Sequence, residues 1–291
     1  MAWANAIIQG ILTGGLYALF ACGLSLMFGV MRVVNLAHGD LAVVAGYVGV
    51  GVIAATHMPF LWSVPIVVVV MAAVGYVLQR TLIQAALKRG ELTTLIVTFG
   101  LSIVIENALL QFFTANSRGI GVNQSIVTAS FSVGSIQVAW LDVIIFVLAI
   151  AVLLGLQYYL SSTKYGRLIR AVADDREAAQ LSGTDYRHVF GVAAAIAFAT
   201  VALAGMAYGM TSVISPTSGT DTILLFAFAA VVIGGLGSLW GTLAGGIVLG
   251  VAQGIGSQLP FFSNGNLAGY IIFLVVLIVR PQGLTARRSQ S

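Results

Sequence analysis

The sequence contains very little charge. Of its 291 residues, 8% are Asp, Glu, Lys or Arg, whereas an ordinary soluble domain has about 25%. An ionisable side chain at the centre of a membrane helix costs about 2.5 to 3.5 kcal/mol. Apolar residues make up 59% of the chain, and their runs are long enough to cross a hydrocarbon core of about 30 Å. The composition therefore indicates an integral membrane protein and excludes an ordinary soluble domain.

Cysteine and the common catalytic motifs are scarce as well. Cys22 is the only cysteine, which excludes an internal disulfide and a cysteine-based metal site. His and carboxylate residues form no metal-binding or nucleophile pattern, so we expect no catalytic residue and no metal ligand. The sequence lacks a Gly-x-x-x-x-Gly-Lys-Ser/Thr loop, so we expect this chain to bind no ATP or other cofactor itself. No basic residue precedes Arg32, and we expect the first apolar segment to be retained rather than cleaved.

Basic residues flank the apolar runs instead of forming one stripe, so the net charge of +4 does not indicate a nucleic-acid partner. Most of them lie in three segments: residues 80–91, residues 161–188 and the tail from Arg280. Basic loops of multi-span proteins stay in the cytoplasm. We therefore expect the amino terminus outside and the carboxyl terminus in the cytoplasm.

The apolar runs predict an all-α polytopic membrane protein with about eight to nine transmembrane segments in a single domain, residues 1–291. Helices are expected at about Asn5–Met31, Leu36–Ala55, Leu61–Gln79, Leu92–Phe113, Trp140–Leu160 and Val189–Ile214, with another starting near Thr222 and the last ending at Arg280. For the tail to finish inside, the chain between Thr222 and Gln258 must leave the outer face and return to it. It does so as two helices or as a re-entrant pair.

Glycine is abundant, with 34 residues. The dense run from Gly234 to Gly241 predicts a broken or re-entrant segment, because glycine is unfavourable inside helices. Other glycines fall four apart, such as Gly10 with Gly14 and Gly246 with Gly250. This spacing predicts close packing between helices.

A polar cluster lies between the first two apolar runs and consists of Asn35, His38, Gly39 and Asp40. In a structural interpretation, Asn35 caps the second helix and Asp40 complements its dipole. In a functional interpretation, an ionisable pair entering the membrane fixes a broken helix beside a solute path.

The basic segment 161–188 contains a short helix signal. Asp174 or Asp175 is a candidate amino-terminal cap, and Gly183 is placed to end the helix. Its small apolar face, formed by Ala178, Ala179 and Leu181, suits a shallow groove on a partner protein. The alternative is a loop that packs on its own bundle.

Glu106 is an acidic residue within a predicted membrane helix. Such a carboxylate faces the bundle interior or water, where it could meet a substrate ammonium group or a proton. The alternative is a hydrated position near the outer end of the helix.

Three segments together resemble one protein family: residues 34–40, residues 165–183, and residues 233–238 followed by Gly241 and Gly245. In order, spacing and length they are similar to the hallmark segments of the high-affinity branched-chain amino acid ABC permease family, in particular its shorter permease subunit. The resemblance covers essentially the whole chain.

The resemblance implies an inner-membrane importer for branched-chain or related amino acids. Its expected partners are a second permease subunit in a homo- or heterodimer, two cytoplasmic ATPase subunits that use ATP, and a periplasmic or extracytoplasmic binding protein. Residues 161–188 would be the ATPase-coupling loop, with matching positions at Gly166, Arg170, Ala171, Asp174, Ala178, Ala179 and Gly183. Candidates for the translocation path are Asn35, His38, Gly39, Asp40, Glu106, Gly235 and Gly237.

The alternative function is a self-sufficient secondary transporter or a facilitative channel for a small polar solute, including amides or urea. Glu106, Asp40 and the broken glycine-rich segment could serve an ion-coupled carrier. Such carriers usually contain inverted repeats, and the sequence shows no convincing internal repeat.

Overall fold

The computed structural model describes residues 2–120, 129–133, 136–260 and 265–285. Their elements are α1 (Ala2–Met31), α2 (His38–Thr56), α3 (Phe60–Leu87), α4 (Glu91–Phe113), β1 (Ser130–Val133), β2 (Ile136–Ala139), α5 (Trp140–Ser162), α6 (Lys164–Asp174), α7 (Arg176–Leu181), α8 (Tyr186–Thr211), α9 (Gly219–Gly234), α10 (Leu239–Gly256) and α11 (Gly265–Val279). Two of these helices contain a π-helical turn, Gln79–Ile83 in α3 and Gly219–Ile223 at the start of α9.

Seven helices within the described residues are long and apolar enough to cross a membrane, namely α1 to α5, α8 and α10. The apolar helices α9 and α11 are shorter. The predicted all-α polytopic membrane fold is confirmed. The predicted eight to nine segments compare with these seven long helices and two shorter apolar ones in the described residues.

Helices α1 and α8 form the centre of the bundle. In α1, 78% of the most apolar 18-residue stretch is buried, against 17% of the corresponding stretch in α4. Helix α4 therefore lies at the periphery of the bundle. The glycine pairs pack helices closely, as predicted, and the helices are α1 and α10, because Gly10 lies against Gly250 and Gly14 against Gly246. A side chain at these positions would meet the backbone of the facing helix.

Helix α2 begins halfway along the bundle rather than at its end. The first residue of α2, His38, places its Nε2 2.9 Å from the carbonyl oxygen of Phe20. Phe20 is eleven residues before the end of α1, which is about 16 Å along a helix. Residues 32–37 therefore turn back into the bundle, where Leu36 N–H donates to Thr98 Oγ1 at 3.3 Å.

Helix α9 also begins inside the bundle. After α8, residues 212–218 turn back, and Ile214 packs against Gly46 and Gly209. At the start of α9, Gly219 lies so close to α2 that a Cβ atom on Gly39 would collide with the Gly219 carbonyl. The amino termini of two broken helices thus meet in the interior.

The region from Thr222 to Gln258 consists of two helices, α9 and α10, joined by residues 235–238. Gly235 and Gly237 have φ of 104° and 82°, a backbone conformation that residues with a Cβ atom rarely adopt. The turn packs against Gly29 near the end of α1. The predicted break at Gly234 to Gly241 therefore lies at the same end of the bundle as Arg32.

Two helix boundaries and one hairpin differ from the prediction. Helix α3 runs past Gln79 to Leu87 because its apolar residues continue on both sides of Arg80. Helix α8 begins at Tyr186, where Asp185 accepts a hydrogen bond from Arg187 N–H at 3.0 Å as its cap. The β1–β2 hairpin, paired from Ser130 with Ala139, was not predicted, although its sequence alternates apolar and polar residues.

Candidate functional site

Asp40 joins three helices at the meeting point of α2 and α9. Its side chain is fully buried and accepts a hydrogen bond from the Ser102 hydroxyl of α4. Thr220 Oγ1, in the first turn of α9, donates to Asp40 Oδ1 at 3.2 Å. We call Asp40, Ser102 and Thr220 the carboxylate junction.

The carboxylate junction lies near the middle of the membrane. Ser102 is the central residue of the 23-residue helix α4, so it is about 17 Å from either end. An ionisable group at this depth is costly and usually marks a solute or proton pathway. The amino termini of α2 and α9, which carry partial positive charge, stabilise a carboxylate between them.

Two more carboxylates accompany Asp40. Glu106 and Asp221 are close enough to interact with it electrostatically. Glu106, one turn beyond Ser102 on α4, is half-buried, and Asp221 is exposed on the surface of the chain. Because exposed charge is unfavourable against lipid hydrocarbon, this face is suited to contact with protein or with a water-filled path.

His38 and Asn35 have mainly structural contacts. His38 ties the first turn of α2 to α1 through Phe20, and its Nδ1 has no hydrogen-bond partner in the described part of the chain. Asn35 does not cap α2, because Ala37 occupies the cap position without a side-chain bond. Instead, Asn35 Oδ1 accepts from Ala37 N–H at 3.1 Å and fixes the turn before the helix.

The structure separates Gly235 and Gly237 from the carboxylate junction. They follow the far end of the 16-residue helix α9, about 24 Å from its start. There, Gly237 borders a cavity of about 290 Å³ whose walls include Ser25 of α1 and Ile169 and Arg170 of α6. The glycine-rich turn and the 161–188 segment therefore share one cavity.

Segment 161–188 folds into the consecutive helices α6 and α7. Thr163 caps α6 by accepting from Gly166 N–H at 2.9 Å. Asp175 caps α7 by accepting from Glu177 N–H and Ala178 N–H at 2.9 and 3.0 Å. The predicted cap and the glycine end, Gly183 with φ of 81°, are both present.

The predicted coupling positions divide between two faces of α6 and α7. Gly166, which packs on the end of α5, and Ala179, which is 8% exposed, are directed to the bundle. Arg170 is exposed, although it donates to the Ser161 carbonyl at 3.2 Å. Those on the outer face are Ala171, Asp174, Ala178 and Gly183. Leu181 is 91% exposed, so it is the most prominent apolar side chain on that outer face.

An exposed ion pair joins the end of this segment to α3. Arg80 of α3 lies 3.4 Å from Asp185, which precedes α8. Slight desolvation raises the pKa of Asp185, but hydrogen bonds from Arg187 N–H and Arg80 outweigh it and lower the pKa below its usual value. The pair is largely exposed, so its contribution to stability is small.

Sequence reasoning missed Ser102 and Thr220, the partners of Asp40. A signal was present for Ser102, because Thr94, Thr98, Ser102 and Glu106 recur every four residues and form one polar stripe on α4. Thr94, Thr98 and Ser102 are all buried. Among the described residues, no group of three His, Cys, Asp or Glu side chains could hold a metal ion.

Comparisons with known proteins place the whole chain beside one family. Residues 6–280 match the family model described as "Branched-chain amino acid transport system / permease component". The high-affinity branched-chain amino acid transport system permease protein BraD of Pseudomonas aeruginosa is 29% identical over 98% of this chain and 96% of its own length. The corresponding protein LivH of Escherichia coli (strain K12) is 28% identical over 97% of this chain and 94% of its own. Among solved structures, PsaBC from Streptococcus pneumoniae in complex with Fab aligns with a TM-score of 0.48 at 16% identity, covering 96% of this chain and 92% of that one.

Proposed function

The chain belongs to the branched-chain amino acid transport permease family, and from that premise we propose that it is the translocation subunit of an ATP-driven importer for branched-chain or related amino acids. A second permease subunit, two cytoplasmic ATPase subunits and an extracytoplasmic binding protein complete the assembly. Residues 1–291 form one transmembrane domain of the inner membrane. Its amino terminus is outside and its carboxyl terminus is in the cytoplasm, as the basic loops favour.

The observation that carries this proposal is the exposed outer face of α6 and α7. Both helices are capped by their own side chains, and Arg176 lies over the rings of Tyr186 and Phe190 at 5.5 and 5.1 Å. The pair is therefore fixed on the bundle while Leu181 stays exposed. A rigid apolar projection surrounded by charged side chains of both signs suits a cleft on an ATPase subunit.

A shared cavity and the length of α9 support transmission from this face into the membrane. Helix α6 shares a cavity with the turn at residues 235–238, and that turn ends α9. The other end of α9 holds Thr220 at the carboxylate junction. A displacement of α6 is thus expected to move α9 as a rigid rod and to change the distance between Thr220 and Asp40.

The path for the solute is assigned to the face that carries Glu106 and Asp221. These carboxylates are best placed toward water or the second permease subunit, because lipid contact is costly. Asn35, His38 and Gly39 hold α2 at this face, while Gly235 and Gly237 provide the turn at the other end of α9 and do not contact the solute.

The proposal is tested by reconstituting the complete complex and the single chain in parallel liposomes. We expect the complex to accumulate radiolabelled L-leucine only with ATP inside the vesicles and loaded binding protein outside. Vesicles containing this chain alone should show background uptake. ATP-independent uptake by the single chain would instead establish a secondary transporter or channel.

A further inference from the structure

A second cavity, of about 330 Å³, lies within this subunit among α1, α5, α8, α9 and α11. We call it the outer cavity. Its walls include Asp142 in the first turn of α5 and Thr211 in the last turn of α8. Helices α6 and α7 connect the opposite ends of α5 and α8. The outer cavity therefore opens away from the coupling loop, on the side where a binding protein would release its solute.

The outer cavity combines apolar, aromatic and hydroxyl-bearing walls. Tyr17 and Phe226 contact each other with ring centroids 4.7 Å apart, and Phe20 meets Tyr208 edge-on at 5.8 Å. All four rings line the cavity. Ligand sites of small molecules typically have such apolar walls with a few polar groups and volumes from about 300 Å³.

Among the described residues that line this cavity, Asp142 is the only charged one. It is half-buried, and its carboxylate has no ion-pair partner within the described part of the chain. An acid in the first turn complements the dipole of α5, and that role alone would not require the carboxylate to line a cavity. Aromatic faces near a carboxylate favour an organic ammonium ion.

Phe20 of α1 and the first turn of α9 connect the outer cavity with the carboxylate junction. Phe20 contributes a ring to the cavity and its carbonyl oxygen to His38. Thr222 lines the cavity two residues after Thr220 contacts Asp40. The π-helical turn at the start of α9 is therefore the wall between the two sites, and π-helical turns are frequent at functional positions.

We propose that the outer cavity is a receiving site for a free aliphatic α-amino acid, with the substrate ammonium on Asp142 and its hydrocarbon side chain against Leu16, Ile145 and Phe226. Hydroxyl groups of the cavity wall donate hydrogen bonds to the substrate carboxylate. This inference rests on the proposed function and adds a binding site within one permease subunit. The start of α9 then separates this site from the deeper path.

The test uses cysteine protection in the reconstituted complex. The native Cys22 is fully buried, so it provides an unreactive background. Thr13→Cys places a thiol on the cavity wall, and Ile144→Cys, at a position 53% exposed on another face of α5, is the lipid-facing control. A small neutral water-soluble thiosulfonate should label the first cysteine and not the second.

Ligand dependence identifies the occupant. L-Leucine should slow labelling of Thr13→Cys, whereas 4-methylpentanoate, which has the same side chain and carboxylate without the ammonium, should not. Adding Asp142→Asn should raise the half-protecting leucine concentration roughly tenfold or more, because a charge-assisted hydrogen bond is lost. Asp142→Glu should restore part of the protection.

Two results would overturn this site while leaving the importer intact: normal leucine uptake with no protection of Thr13→Cys, or equal protection by leucine and 4-methylpentanoate. The second result would indicate an apolar occupant such as a lipid chain. Absence of leucine uptake by the complete wild-type complex would instead count against the proposed function itself.

Discussion

The Asp40 carboxylate has a structural role and a proposed transport role, and an isosteric change separates them. Asp40→Asn keeps an acceptor for Thr220, and its amide can donate to the Ser102 oxygen because a hydroxyl both donates and accepts. We expect this variant to unfold within a few degrees of wild type, as measured by thermal unfolding in detergent. If the charge serves the solute path, leucine uptake should fall at least tenfold.

The control is Asp40→Ala, which leaves two hydroxyl groups without their acceptor and should destabilise the fold by about 1 to 3 kcal/mol. Normal uptake by Asp40→Asn would show that the junction is structural only. The sequence made Asp40 a candidate because an ionisable residue that enters the membrane is costly. It could not predict Ser102 and Thr220 as partners, because they come from helices distant in the chain, and their pairing depends on where α2 and α9 begin.

Helix α7 is the element with the most direct predicted effect on coupling. Leu181→Asp replaces its apolar side chain, which is 91% exposed and therefore contributes little to packing of the bundle. We expect wild-type insertion and complex formation weakened roughly thirtyfold, as for the loss of a central interface residue. ATP hydrolysis stimulated by loaded binding protein should fall together with leucine uptake. Gln180→Asp adds the same charge at the neighbouring exposed position and should change both rates little; equal losses in the two variants would contradict a specific Leu181 contact.

Segment 161–188 also shows how far the structure of an element can be predicted from its sequence. The cap Asp175 and the end at Gly183 follow from local hydrogen bonding and backbone preference. The direction of each side chain cannot be derived in this way. Ala179 was therefore predicted on the partner face but packs on the bundle. Similarly, apolar length predicted α2 without revealing that it begins halfway across, because residues 32–37 return into the bundle through contacts with α1 and α4.

At the scale of the whole molecule, the proposed orientation places every predicted function on one axis: the outer cavity at one end, the carboxylate junction in the middle, and α6 and α7 at the other. This order follows from the fold, but which end faces the cytoplasm rests on the basic residues. Five arginines and lysines lie between Ser161 and His188, and a cluster of this kind is strongly retained inside.

A matched pair of single-cysteine variants tests that orientation in intact cells. Ser117→Cys lies after α4, and Ser182→Cys lies after α7; both positions are exposed and at opposite ends of the bundle. A membrane-impermeant maleimide should label Ser117→Cys in intact cells and Ser182→Cys only after permeabilisation, while the wild type remains unlabelled because Cys22 is buried. The reverse pattern would place the outer cavity in the cytoplasm and α7 outside, out of reach of an ATPase. In that case both the coupling role of Leu181 and the receiving role of Asp142 would be lost together.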